Sequence, residues 1–247
     1  MFDPEVGLSA HLGAASFPGL WSRWTEAKEA RGLQIREQRR AVVDHWETAL
    51  ADIAHKQEQL VVQGQWVSGP STLLSIIGQS RRETYHCRVI AWLMDPTGRH
   101  GLGVSFLAGF LESCVLDAMF EPTDLRRATV VCEVVRAHSR ADIVIWMPQA
   151  TVVIEAKTDA IEGRHQCDRL YEDFAEEPDP HFVFLSPRGR PPVTATGDAL
   201  ESFRTVSLLE IIRLIEDSMN RSSGIGVDEI ARASVHNYLA TLRKEFL

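Results

Sequence analysis

Residues 141–157 read ADIVIWMPQATVVIEAK. Two apolar runs rich in β-branched residues, Ile143–Trp146 and Val152–Ile154, are interrupted at Pro148 and Gln149, the pattern of a β-hairpin. If those two residues form the whole connection, Met147 pairs with Ala150, and counting outward sets Asp142 opposite Glu155. A three-residue connection would instead set Ala156 opposite Asp142. Lys157 lies two residues beyond Glu155, and the period-2 alternation of a strand turns both to the same face.

Two carboxylates held side by side repel unless a cation lies between them. A hard divalent ion bound by oxygen is the usual reason to build such a pair. A neighbouring ammonium can then hold a water or offset charge developing on a phosphoryl oxygen. A Glu-x-Lys triplet is common by chance, so the weight rests on its setting. Lys157 is one of only four lysines in the chain, and it directly follows an apolar strand where an unpaired charge would be costly.

The composition narrows the class. At 247 residues, 45% hydrophobic and 24% charged, the chain suits one large globular domain or a core domain with an added helical piece. A net charge of −8 excludes a protein that coats nucleic acid through bulk charge, so any polyanion must be met by a local patch. Cys87, Cys114, Cys132 and Cys167 are scattered without zinc-site spacing and read as reduced thiols near the core. The first residues show no basic segment followed by an apolar one, and no apolar run reaches membrane-spanning length. The expectation is a soluble, cytoplasmic protein with no membrane partner.

Outward from the hairpin, residues 1–20 read as an irregular or short helical lead-in. Residues 20–62 read as one long helix or a helical hairpin broken at Gly32, with Trp24, Ile35, Val42, Trp46 and Ile53 at helical spacing. QGQWVSGP at 63–70 is a break, so residues 1–70 form an N-terminal helical extension and 71–247 the main domain. Helices are expected at 71–78, 82–94 and 104–119, the second ended by Asp95-Pro96-Thr97-Gly98. A strand at 129–136 precedes the hairpin; a helix at 162–174 and strands at 181–185 and 203–206 follow it. Helices at 208–219 and 227–247 close the chain. This order defines an α/β fold with a mixed central β-sheet flanked by helices on both faces.

The order of elements, with Asp142 and Glu155-Ala156-Lys157, resembles the PD-(D/E)xK nuclease superfamily. Ala141 stands where that motif has Pro. Upstream, Arg82-Glu83-Thr84-Tyr85-His86-Cys87, Ile90-Ala91-Trp92-Leu93-Met94-Asp95-Pro96, His100-Gly101-Leu102-Gly103 and Phe106-Leu107 are similar to a bacterial branch reading E-x-x-H-S, L-A-W-L-L-D-P, H-G-L-G and F-L, with Cys87 in place of Ser. Phe184–Gly189 looks like that branch's post-strand loop. The resemblance covers about 78–192 and implies a restriction-endonuclease-like core.

It further implies a nuclease hydrolysing phosphodiester bonds, DNA before RNA, in bacterial defence against foreign DNA. Mg²⁺, with Mn²⁺ as a substitute, would be held by Glu83, Asp142, Glu155 and the Ala156 carbonyl. Catalysis would fall to Asp142, Glu155 and Lys157, with Gln166 as an auxiliary residue. His86 and His100 read as loop-fixing hydrogen bonders rather than ligands. Arg81, Arg82, Arg140 and Arg164, with Arg136 and Arg169, lie near the motifs in sequence and could contact phosphates. Residues 20–62 could serve a homodimer, Trp24 and Trp46 burying across a twofold, or a partner protein. The competing reading is a catalytically silent nuclease-fold scaffold.

Overall fold

The computed structural model describes residues 17–66, 68–114, 120–221 and 228–247. Most of the expected lead-in, the end of the helix expected at 104–119 and residue 227 lie outside these. The chain divides into two compact units, Met1–Gly69 and Pro70–Leu247.

Among the described residues of the first unit, one helix, α1 (Phe17–Val62), accounts for nearly all. Gly32 lies inside it rather than breaking it; a mid-helix glycine costs about 1 kcal/mol, which 46 residues of continuous hydrogen bonding absorb. The large apolar side chains placed here at helical spacing are exposed, Trp24 by 53% and Trp46 by 60%.

The second unit opens with α2 (Leu73–Ile76), α3 (Glu83–Met94), α4 (Ser105–Cys114) and α5 (Pro122–Leu125). Strands β1 (Thr129–Val135), β2 (Arg140–Trp146) and β3 (Thr151–Ala156) follow as an antiparallel meander. Then come α6 (Gln166–Phe174), β4 (Pro180–Ser186), α7 (Gly197–Ser202), β5 (Phe203–Ser207), α8 (Leu208–Arg221) and α9 (Glu229–Phe246). The sheet order is β1-β2-β3-β4-β5, with β4 and β5 running parallel to β3 and its neighbour. Parallel neighbours need crossovers, and α6 and α7 supply them.

The expected elements are present within a few residues, apart from the start of the 162–174 helix, which is loop until Gln166. Sequence reading missed the one-turn helices α5 and α7, too short to show periodicity. On one face of the sheet, Ile90, Phe106, Phe110, Ile211 and Leu242 from α3, α4, α8 and α9 close a large core. On the other, Cys167, Leu170 and Phe174 of α6 and Ala199 of α7 close a smaller one. Covered on both faces, β3 is buried at every position, as its unbroken Thr-Val-Val-Ile run requires.

Candidate active site

The hairpin turn is the two-residue one. Met147 N donates to the Ala150 carbonyl at 2.9 Å, and the ladder pairs Trp146 with Thr151 and Ile143 with Ile154. One further step of that register sets Asp142 opposite Glu155. Asp142 Oδ2 caps the end of the ladder by accepting from Ala156 N at 2.9 Å.

Four element ends meet here: the start of β2, the end of β3, and the starts of α3 and α6. Lys157 Nζ donates to Glu83 Oε1 at 3.1 Å, to the Ala156 carbonyl at 2.9 Å and to Glu155 Oε1. Gln166 Nε2 donates to the same Glu155 oxygen. Gly163 N donates to Gln166 Oε1 at 2.9 Å, which fixes which end of the amide faces the acid. Thus Glu83, Asp142, Glu155, Ala156, Lys157 and Gln166 stand in one constellation.

Its charge balance is uneven. One ammonium faces three carboxyl groups in a water-poor setting, Glu155 being fully buried and Lys157 nearly so. Burial, with Asp142 adding its field, pushes Glu155 up to about 8, and burial raises Asp142 as well. The surrounding acids hold Lys157 charged. Glu155 Oε2 is buried without a hydrogen-bond partner. An orphaned, desolvated carboxyl oxygen costs on the order of 1–3 kcal/mol, more when ionised, and a second cation relieves it.

The residues present therefore suit a hard divalent ion. Oxygens of Glu83, Glu155 and Ala156 already converge on one cation, Nζ, and an oxygen-only donor set is what Mg²⁺ takes. Among the described residues, no three His, Cys, Asp or Glu side chains form a ready-made metal cluster. The ammonium occupies the middle of the group.

The constellation opens into a cleft of about 410 Å³ lined by Glu83, Asp142, Lys157 and Gln166 on one side and by Arg136, His138, Arg140 and Arg169 on the other. Arg140 is exposed, with Glu133 3.8 Å away as its nearest acid. Arg136 is bound to Glu177 and lies over the Phe174 ring; Arg169 donates to the carbonyls of His138 and Arg164. Arg82 and Arg164 are exposed outside the lining.

Arg81 departs from its expected role. It grips Asp159 with two hydrogen bonds of 2.7 and 2.6 Å, donates to the Glu245 carbonyl at 2.8 Å and stacks on Phe246. It braces the loop after Lys157 against α9. His86 and His100 fix loops as expected, His86 between the Ser80 carbonyl and the Tyr238 hydroxyl, His100 between the Asp95 carbonyl and Leu102 N.

Two features went unread in the sequence. Glu133, opposite Asp142 on β1, has a left-handed backbone (φ 56°), and the β1–β2 ladder skips this pair. Strained non-glycine residues of this kind cost about 1–3 kcal/mol and concentrate at functional sites. The second is Glu162, whose carboxylate is wholly buried and accepts from Arg190 Nη1 (2.6 Å), Val193 N, Thr194 N and Thr194 Oγ1. It clamps the loop carrying Gly163, which leads into Gln166 of α6, to the segment after β4. Replacing Glu162 with Ala leaves Val193 N, Thr194 N and Thr194 Oγ1 without their acceptor, while the half-exposed Arg190 turns to water, and thermal melts should show a loss of about 2 kcal/mol. The hydrogen bonds hold Glu162 below the usual carboxylate range. Its contribution is therefore full above the unfolded pKa and drains away as pH falls through the folded one.

A mixed sheet covered on both faces, with a carboxylate–lysine cluster at the ends of β2 and β3, defines a restriction-endonuclease-like core. A model of the PD-(D/E)XK nuclease superfamily matches residues 72–239, well over half of the chain, and the chain belongs to that superfamily. Its nucleases generally use divalent metals. No curated protein and no solved structure matches the chain. Among the described residues no helix is long and apolar enough to cross a membrane.

Proposed function

We propose that this protein hydrolyses phosphodiester bonds in DNA, with Mg²⁺ as its ion and Mn²⁺ as a substitute, in bacterial defence against foreign DNA. The observation that carries the reading is the buried, partnerless oxygen of Glu155 beside three oxygens gathered on Lys157, at the mouth of an arginine-lined cleft.

Glu83, Asp142, Glu155 and the Ala156 carbonyl would hold the ion. When bound, it polarises a phosphoryl oxygen and acidifies a water. Lys157, kept charged by its acids, orients the attacking water and offsets the negative charge that grows on the phosphoryl oxygens. Gln166, its amide set by Gly163, holds Glu155 in the orientation that keeps Oε2 free. Arg140, with Arg82 and Arg164 further out, takes backbone phosphates and brings a polyanion to an acidic protein.

Arg140→Ala should weaken DNA binding several-fold whatever the sequence and reduce the slope of log affinity against log salt by about one. Fluorescence-anisotropy titrations over a salt series read both. Cleavage of linear, circular and single-stranded DNA and of RNA, with Mg²⁺, Mn²⁺ or EDTA, tests the function itself. Metal-dependent cutting of DNA supports it; preferential cutting of RNA overturns the substrate. Neither cutting nor metal binding would leave a silent scaffold.

A further inference from the structure

The 46-residue helix α1 carries an apolar stripe, interrupted on its own arc by Lys28, Arg39 and Gln57. Trp24, Ile35 and Trp46 are spaced by eleven, as are Val42 and Ile53, and all are about half exposed. An eleven-residue repeat is 3.67 residues per turn, almost the natural 3.6, so these side chains stay in line along a straight helix. Leu50 and Leu60 fall on the same arc. From Trp24 to Leu60 the stripe runs about 54 Å at 1.5 Å per residue. A stripe of that length on a helix is an association surface.

The charges select the occupant. Between residues 23 and 40 lie Arg23, Lys28, Arg31, Arg36, Arg39 and Arg40 against Glu26, Glu29 and Glu37. Between 41 and 62 lie Asp44, Glu47, Asp52 and Glu58 against Lys56 alone. The first half is basic and the second acidic, and the two balance.

We infer that α1 pairs antiparallel with α1 of a second copy, forming a homodimer in which each basic half lies along an acidic half. A twofold beside Val42 sets Arg36 level with Glu47 of the second copy and Arg31 level with Asp52. Arg36 and Glu47 flank one edge of the stripe, and Arg31 and Asp52 flank the other. In an antiparallel pair like edges meet, so both contacts join opposite charges. A parallel pair would instead lay the basic halves together. The inference does not depend on the nuclease reading, since α1 holds none of the cleft residues.

The test is sedimentation equilibrium of the full chain and two charge-reversed variants, R31E/R36E/R39E and D44R/E47R/D52R. Wild type should be a dimer at micromolar concentration and dissociate further as salt rises. Each variant alone should dimerise at least about a hundredfold more weakly, and an equimolar mixture should recover the wild-type dimer. Recovery on mixing shows that the single variants were folded. A monomeric wild type at tens of micromolar overturns the inference. So do variants that dimerise as well as wild type, because a parallel pair exchanges one like-charge contact for another. A third variant, W46E/L50E, should be monomeric; a dimer that survives it lies on another surface.

Discussion

Lys157→Ala should stop DNA cleavage, with a rate loss of at least about a hundredfold, while divalent-metal affinity stays equal to or above that of the wild type. The split follows from where the ammonium sits. Nζ contacts Glu83, Glu155 and the Ala156 carbonyl, three of the oxygens assigned to the ion. Removing it takes away the group that offsets transition-state charge, and it also removes a competitor for those oxygens. Single-turnover cleavage at saturating Mg²⁺ reads the first effect. Calorimetric titration with Mn²⁺, or Mg²⁺-induced thermal stabilisation, reads the second. A variant that loses metal binding along with cutting would make Lys157 a structural support for the carboxylates rather than a catalytic residue.

Glu155→Gln should abolish both cutting and metal-induced stabilisation, and its dependence on pH separates it from a simple folding defect. In the metal-free protein Glu155 has its pKa raised from 4.5 to about 8. Between those values the folded state holds a proton that the unfolded state has released. Stability therefore falls as pH rises through that window. The raised pKa of Asp142 acts in the same direction, whereas Glu162 acts in the opposite one and at lower pH. In Glu155→Gln the neutral amide cannot titrate, and the fall should largely flatten. Mg²⁺ engages the ionised form, so the wild type should gain more from the ion at pH 9 than at pH 6. At a hundred times Kd the gain is about 2.7 kcal/mol, which for a domain of this size is about 5–10 °C in Tm. Thermal melts of both proteins across pH, with Mg²⁺ and with EDTA, check it. A Glu155→Gln variant stabilised by Mg²⁺ as fully as wild type would remove Glu155 from the metal site.

What the sequence disclosed and what it hid divide by distance along the chain. The Asp142–Glu155 register was narrowed to two alternatives because turn length and an alternating pattern set it locally, and the structure has the two-residue turn. Glu83 lies far upstream and was reached only through a resemblance of motifs. The Glu162 clamp was unreadable, because its donors come from a loop on the far side of α6 and β4 and carry no pattern. Arg81 shows the same limit from the other direction. An arginine beside a motif looks free to meet a phosphate until folding supplies Asp159, and an acidic chain offers many such partners. The length of α1 was left open because the cost of one glycine is too small to end a helix.

The bracing of α3 by α9 also ties the site to a part of the fold that supplies none of its side chains. Tyr238 buttresses His86, and the Glu245 carbonyl and Phe246 hold Arg81, which in turn grips the loop that follows Lys157. Glu83 and Lys157 also meet directly, and Thr158 donates to Glu83 and to the Arg81 carbonyl, so the contacts from α9 reinforce a junction these segments already make. Removing α9 should therefore loosen the carboxylate–lysine group without deleting any residue assigned to the ion, so the helix acts on the site only through its neighbours.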